Sequence, residues 1–253
     1  MIPKLEVSGL CYSYHSMDGE TQALSNISFT VNTGEFIAIV GPSGCGKSTL
    51  LSLFSGLLEP DEGKILIDGI PLSESKVRIG YMLQKDHLFE WRTILSNASL
   101  GLEIQHKMDE RHKNNLQELM TSYGLGSFEN ARPSELSGGM RQRAALIRTL
   151  ALEPDILLLD EPFSALDYQT RLSVCDDIST IIRGRGKTAI LITHDLSEAV
   201  SVADRIVILS KRPGRIKGIL PTPFSTPDLS PLERRNDPEF SGYFNEVWKI
   251  LQN

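Results

Sequence analysis

The stretch Gly41-Pro42-Ser43-Gly44-Cys45-Gly46-Lys47-Ser48-Thr49 has types and spacing suited to holding an anion. It carries the G-x-x-x-x-G-K-[ST] pattern, follows the apolar run Phe36–Val40 and leads into Leu50-Leu51-Ser52-Leu53-Phe54, so it reads as strand, turn and helix. Gly41, Gly44 and Gly46 carry no Cβ, which lets backbone N–H groups bend toward a phosphate. The helix that begins near Lys47 adds the positive end of its dipole. Lys47 reaches β- and γ-phosphates as a point charge, and the Ser48 hydroxyl suits Mg²⁺. A glycine-rich turn that binds nothing is the bland alternative; a Lys-Ser pair after the last glycine, with apolar flanks on both sides, argues against it. The stretch predicts a nucleoside triphosphate site.

A second stretch supplies acids. Ile156-Leu157-Leu158-Leu159 reads as a strand buried on both faces of a parallel sheet, and Asp160 and Glu161 emerge at its carboxyl end. Asp160 can hold Mg²⁺ through a water, and Glu161 can polarise the water that attacks the γ-phosphate. An acidic turn is the plain alternative, but four aliphatic residues seldom end in a charged pair by accident. Further on, Thr188–Ile192 is another aliphatic strand and delivers Thr193-His194-Asp195. A lone histidine before a helix is usually structural; at the end of a parallel strand it can also face the γ-phosphate. Ser137-Gly138-Gly139 precedes a helical stretch over about 141–151, where Ser137 can serve as an ordinary N-cap or can open a second surface shaped for phosphate.

These residues need a scaffold. Residues 4–7 and 27–31 read as short strands, with the aromatic cluster Cys11-Tyr12-Ser13-Tyr14 between them ahead of a polar loop. An aromatic ring there can pack into the core or stack on a purine. Residues 63–69 read as a strand closed by an Asp-Gly turn, and Arg78–Leu83 as a strand that delivers Gln84. Helical spacing over 93–103 and 109–123 then suggests a subdomain inserted between two strands, with Gln84–Arg92 as its entry hinge. Ser164-Ala165-Leu166-Asp167 leads to a helix ending near Arg183, and Asp195 and Glu198 have capping-box spacing for the next helix. Arg205–Leu209 is a final strand, and Pro213-Gly214 a tight turn into 215–219. The five prolines within 221–238 predict an extended linker. A terminal amphipathic helix over about 239–251 puts Phe240, Phe244, Val247, Trp248 and Leu251 on one side, against its own domain or against a partner.

Bulk properties narrow the class. The chain has 253 residues, 40% hydrophobic and 23% charged, which supports an ample globular core. Its net charge of −6 argues against a surface that coats nucleic acid. The three scattered cysteines fit a reducing compartment better than a disulfide framework. No signal-peptide pattern and no membrane-length apolar run are apparent, so the expectation is a soluble, intracellular protein that reaches a membrane only through a partner.

Taken together, these motifs resemble the ATP-binding subunits of ABC transporters over almost the whole chain. In that family's terms Gly41–Thr49 looks like Walker A, Ile156–Asp160 like Walker B and Leu136–Met140 like the signature. Glu161 then corresponds to the catalytic glutamate, Gln84 to the Q-loop residue that also meets the metal, Asp167 to the D-loop aspartate and His194 to the switch histidine. Tyr14 corresponds to the adenine-stacking aromatic, with Tyr12 close by. A narrower resemblance, carried by Tyr81–Thr93 and by Arg212-Pro213-Gly214-Arg215-Ile216, is to the subgroup serving nitrate, taurine, aliphatic sulfonate and thiamine-precursor importers; Glu90 stands where that subgroup usually has proline. The resemblance implies an α/β P-loop NTPase core with a mixed sheet, an antiparallel β subdomain and a helical subdomain at about 93–150. It gives an ATPase domain over 1–220 and a linker with a terminal helix over 221–253.

It also implies ATP with Mg²⁺, and a head-to-tail homodimer in which Ser137, Gly138 and Gly139 of one copy meet the γ-phosphate held by the other. The expected partners are membrane permease subunits, with a solute-binding protein indirectly and no nucleic acid, at the cytoplasmic face of the membrane. The alternatives are a non-transport ABC ATPase acting on nucleic acid or ribosomes, which generally carries coiled coils or two nucleotide domains, and a small-molecule P-loop kinase, which leaves the Ser137 and His194 stretches unexplained. Finally, Cys45 beside a helix N-terminus is expected to favour the thiolate, to be alkylated, and to be protected by Mg-ATP.

Overall fold

The computed structural model describes residues 2–17, 19–226 and 228–252. The chain opens with an antiparallel hairpin, β1 (Leu5–Ser16) and β2 (Gly19–Val31). Both strands are longer than the sequence pattern suggests, and Tyr12-Ser13-Tyr14 lies inside β1, not ahead of a loop. Register shifts between Val7 and Leu10, Leu10 and Tyr12, and Tyr12 and Ser13 break the alternation by which a strand is recognised.

The strand β3 (Phe36–Val40), buried at every position, runs through the glycine loop into α1 (Lys47–Phe54). A hairpin of β4 (Glu62–Ile67) and β5 (Ile70–Pro71) follows, turned by Asp68 and Gly69 at φ 51° and 78°, as an Asp-Gly turn requires. After β6 (Ile79–Met82) come α2 (Ile94–Ala98), α3 (Leu100–Ile104), α4 (Glu110–Ser122) and α5 (Gly138–Leu150). The stretch 93–103, expected as one helix, is thus two short ones. The chain then returns through β7 (Ile156–Asp160), α6 (Tyr168–Gly184), β8 (Thr188–Ile192), α7 (Leu196–Val202) and β9 (Arg205–Leu209). It finishes with β10 (Ile216–Pro221), α8 (Pro231–Asn236) and α9 (Phe240–Gln252).

The strands form two sheets. One is antiparallel in the order β2-β1-β4-β5; the other runs β10-β9-β3-β8-β7-β6, with β9, β3, β8, β7 and β6 parallel and β10 antiparallel at the edge. This is the mixed-sheet α/β architecture, with its antiparallel companion, that the motifs imply. The parallel strands bury both faces: Leu157 and Leu159 enter a core shared with α2–α6, whereas Ile156 and Leu158 enter one shared with α1 and the antiparallel sheet. Leu102, Leu116 and Leu119 of the inserted helices belong to the first of these cores, so the insertion is packed continuously with the sheet.

The carboxyl-terminal segment departs from expectation. Within 221–238 the chain forms α8, with Ser230 and Glu233 in a reciprocal capping box and Pro231 in the first turn. The helix α9 packs on its own domain: Val247 is fully buried beside Val200, Ile206 and Ile208, with Phe240, Phe244 and Leu251 around it. Trp248 is instead 52% exposed and does not belong to the buried stripe. Among the described residues no helix is long and apolar enough to cross a membrane.

Candidate nucleotide site

The order of the parallel strands decides which residues meet. Across β3, β8, β7 and β6 the carboxyl ends deliver, in turn, the glycine loop, His194, Asp160 with Glu161, and Gln84, along the edge where open α/β sheets bind ligands. The loop itself is held tightly. Gly46 caps α1 in a left-handed conformation, φ 102°, and a Cβ there would lie 2.7 Å from the Leu24 Cδ2 of β2. No side chain caps the helix, so its first-turn amides are left for another partner. Lys47 is 7% exposed, and its Nζ donates to the carbonyls of Gly41 at 2.8 Å and Pro42 at 3.1 Å, curling the ammonium over the loop.

The Ser48 hydroxyl donates to Asp160 Oδ1 at 3.3 Å, joining the two motifs across 112 residues of chain. On the other side of the carboxylate the Tyr81 hydroxyl, from β6, donates to Oδ2 at 3.3 Å. Burial pushes the Asp160 carboxyl up, against the pull of the Ser48 and Tyr81 hydrogen bonds, and pushes the Tyr81 phenol up to about 12, so that it stays a donor. A carboxylate whose charge is disfavoured by burial, next to a serine oxygen, suits a hard divalent cation. Mg²⁺ keeps most of its water and takes one or two protein oxygens together with phosphate oxygens. Ser48 and Asp160 are the residues that would hold it.

Glu161 sits at φ 43°, an uncommon backbone for a residue with a side chain, and its N–H is tied to the Ile192 carbonyl at 2.9 Å. Its Oε2 accepts from Gln84 Nε2 at 3.3 Å and lies 3.0 Å from His194 Nδ1, a hydrogen bond when that nitrogen carries the proton. Gln84 also reaches Ser164 Oγ at 3.5 Å, so its amide turns to the acid of the pair assigned to water and not to Ser48 or Asp160. The expected base, histidine and glutamine therefore form one hydrogen-bonded group beside the cradle.

A cleft of about 280 Å³ is shared by Tyr14, Ser43, Lys47, Ser48, Glu161 and Arg212. Tyr14 lines it with its hydroxyl 3.0 Å from Thr49 Oγ1, while Tyr12 stands edge-on to Tyr14 and packs toward the core. Between the two aromatics, the structure puts Tyr14 at the cleft.

Other expected residues lie apart from this group. Ser137 caps α5 by accepting from Met140 N at 3.3 Å, and Asp167 caps α6 by accepting from Thr170 N at 3.1 Å; the Thr170 hydroxyl first, and then that N–H, hold the Asp167 carboxyl below the usual range. Gly138 and Gly139 face Leu166, Thr170 and Val174 of the neighbouring segment. Among the described residues no hydrogen bond links Ser137, Gly138, Gly139 or Asp167 to Gly41–Thr49 of the same chain. The capping box expected of Asp195 and Glu198 is only half made. Asp195 accepts from Ser197 N and Glu198 N, but the Glu198 carboxylate turns inward to Thr193.

Two expectations about single residues need revision. Cys45 is 1% exposed, and burial pushes its thiol up despite Lys47 nearby, so it is a packed thiol and not a reactive thiolate. Arg212, taken from sequence only as part of a resembling stretch, enters the cleft and donates from Nε to the Gly44 carbonyl at 3.1 Å. Its turn is fastened to β2, since Gly214 N donates to Ala23 O at 2.8 Å and Ser25 N to Gly214 O at 2.9 Å.

Comparison with known proteins agrees with this geometry. The family model described as ABC transporter matches residues 24–164, more than half of the chain. YtlC of Bacillus subtilis (strain 168), an uncharacterized ABC transporter ATP-binding protein, is 45% identical over 249 residues, 98% of this chain and 96% of that one. TauB of Yersinia pestis bv. Antiqua (strain Antiqua), a taurine import ATP-binding protein, is 40% identical over 212 residues, 84% of this chain and 82% of that one. The dimeric structure of MJ0796, a bacterial ABC transporter cassette, is similar with a TM-score of 0.74 at 30% identity, covering 87% of this chain and 99% of that chain. With cradle, acids and histidine gathered on one sheet edge, the chain belongs to the ABC transporter family, as an ATP-binding and ATP-hydrolysing subunit that uses Mg²⁺.

Proposed function

We propose that this chain powers a membrane importer for a small anionic solute of the sulfonate or nitrate kind, and that two copies hold two ATP molecules head to tail. The observation that carries the reading is the pairing of two adjacent acids with separate partners. Asp160 is bonded to the cradle's Ser48, and Glu161 to His194 and Gln84. That division gives each acid one task. Asp160 with Ser48 holds the metal end of Mg-ATP, and Glu161, oriented by His194 and Gln84, takes the proton of the attacking water. Lys47 and the free amides of the loop bind the phosphates, and Tyr14 offers its ring to the base. The first turns of α5 and α6, with Ser137, Gly138, Gly139 and Asp167, are then the surface that the second copy brings to the γ-phosphate.

The transport assignment is supported by relatives that are transporter ATP-binding proteins over nearly the full chain, and the solute class by the similarity to a taurine import protein. On this reading residues 1–220 act as the ATPase unit, with the helices at about 93–150 and the segment after Gln84 meeting permease subunits at the cytoplasmic face of the membrane. Hydrolysis then removes the γ-phosphate contacts and lets the pair reopen. Glu161→Gln is expected to lower the ATPase kcat by roughly 10²–10⁴-fold while ATP still binds. Steady-state phosphate release close to that of wild type would remove Glu161 from its role. A deletion strain that took up taurine, alkanesulfonates and nitrate normally would refute the solute class.

A further inference from the structure

Behind His194 lies a polar network that the ATPase reading does not use. Arg171, on α6, donates from one guanidinium nitrogen to the Leu166 carbonyl at 3.0 Å, one residue before Asp167. A second nitrogen lies 3.5 Å from Asp195 Oδ2, one residue after His194. Its Nε is 3.9 Å from Glu198 Oε1. Glu198 is 3% exposed, and its other oxygen accepts from the Thr193 hydroxyl at 2.6 Å, so the residue before His194 is held as well. Thr193 Oγ1 in turn accepts from Asp195 N at 3.0 Å. His194 is thus flanked by Asp195, which Arg171 meets directly, and by Thr193, bonded to a glutamate that faces Arg171 at ion-contact distance, and the same arginine grips the loop that ends at Asp167.

From this juxtaposition we infer that Arg171 is a positioning residue for hydrolysis, bracing the Asp167 loop against the His194 loop so that the two move as one unit, His194 toward the nucleotide of its own copy and Asp167 toward that of the other. The inference rests on the ATPase reading above. The physical basis is the planar fork of arginine, which can serve a carbonyl and a carboxylate at once where lysine offers a point charge. Glu198 gives the brace a longer second arm: buried, it accepts from Thr193 through one oxygen, and its other oxygen faces Arg171 Nε at ion-contact distance, beyond hydrogen-bond reach. Touching neither Glu161 nor the cradle, Arg171 acts on the chemistry through His194.

A double-mutant cycle tests this on the full chain. ATPase kcat and KM, ATP binding and Tm are measured for wild type, Arg171→Ala, Arg171→Lys, His194→Ala and the Arg171→Ala, His194→Ala pair. Arg171→Ala is expected to lower kcat about 10-fold, the scale of one lost charge-assisted bond, with KM and ATP affinity nearly unchanged. Arg171→Lys recovers part of the loss. In the His194→Ala background the removal of Arg171 changes kcat by less than about 2-fold, because the residue it acts through is already gone. Hydrogen exchange in Arg171→Ala rises at residues 164–168 and 193–197 but not at 41–49.

A full 10-fold loss repeated in the His194→Ala background, or Arg171→Ala with wild-type kcat, overturns the brace. Should Arg171→Ala fail to fold, Glu198→Gln takes its place in the cycle. It keeps an acceptor for Thr193 and drops the charge facing Arg171, and the same non-additivity with His194→Ala is required. A wild-type chain without ATPase activity would bring down the functional reading and this inference together, whereas an active wild type with an additive cycle brings down only the brace.

Discussion

Asp160 sits between two hydroxyl donors, Ser48 and Tyr81, in a position where burial is the largest influence on its carboxyl. Burial raises its pKa above the ordinary value, so the folded chain holds that proton more tightly than the unfolded chain does. The linkage follows directly. Ionised Asp160 costs stability at neutral pH; the cost disappears as pH falls below the ordinary aspartate range, about pH 4. Asp160→Asn, which cannot ionise and still offers an oxygen to one hydroxyl, is expected to raise the Tm of the nucleotide-free protein at pH 7, with the difference shrinking toward pH 4. The same variant loses Mg-dependent hydrolysis, so stability and activity move in opposite directions. A melting series in which Asn lowers Tm at pH 7 would show that the ionised acid is well accommodated. The cradle and the acid pair were readable from sequence because their chemistry depends on neighbours within a few residues. Tyr81 and Arg212 were not readable as site residues: each arrives from a distant segment, and nothing local in Gly80-Tyr81-Met82 or Lys211-Arg212-Pro213 says which strand end it will meet.

At the scale of elements, strand β6 shows how a small residue sets a layer spacing. A Cβ on Gly80 would lie 2.7 Å from Thr149 Cγ2 of α5 and 3.0 Å from Pro154 Cγ. Thr149 is buried and its hydroxyl donates to the Ala145 carbonyl at 3.0 Å, so it has little freedom to turn away. Gly80→Ala must therefore push α5 off β6, at a cost of about 1–3 kcal/mol for overpacking. For a chain of this size that is a Tm lower by roughly 3–10 °C, measurable by calorimetry; an unchanged Tm would mean that the α5–β6 contact is slack. The neighbouring Tyr81 bond to Asp160 makes a fall in ATPase activity the accompanying result. The elements differed in how plainly they announced themselves. Ile156–Leu159 and Thr188–Ile192 were legible because strands covered on both faces are continuous apolar runs. The length of β1 was hidden by its register shifts. The helix α8 was hidden by reading its prolines as extended chain, although Pro231 at a helix start and Glu233 three residues after Ser230 are helix signals.

For the whole molecule, the decisive feature is that the first turns of α5 and α6 lie together, Gly139 close to Thr170 and Val174, and make no hydrogen bond to the glycine loop of their own chain among the described residues. If those turns serve a γ-phosphate, the phosphate must be held by another copy. The contact then depends on nucleotide, because each copy supplies half of a shell around an anion that neither closes alone. Net charge works against association, since each copy carries −6. That repulsion acts over a Debye length of about 10 Å at 0.1 M salt and weakens as salt is added. Glu161→Gln with Mg-ATP is therefore expected to elute as a dimer in light-scattering chromatography, more completely at 0.1–0.2 M salt than at about 0.01 M. Without nucleotide it is expected to elute as a monomer. Adding Ser137→Arg to that variant places a bulky cation on the cap of α5, and is expected to return the protein to monomer while ATP binding at Lys47 and Ser48 persists. The double variant tells an interface at α5 from dimerisation elsewhere on the surface. A Glu161→Gln protein that stays monomeric with saturating Mg-ATP would refute the head-to-tail pair, and a dimer indifferent to Ser137→Arg would move the interface away from α5.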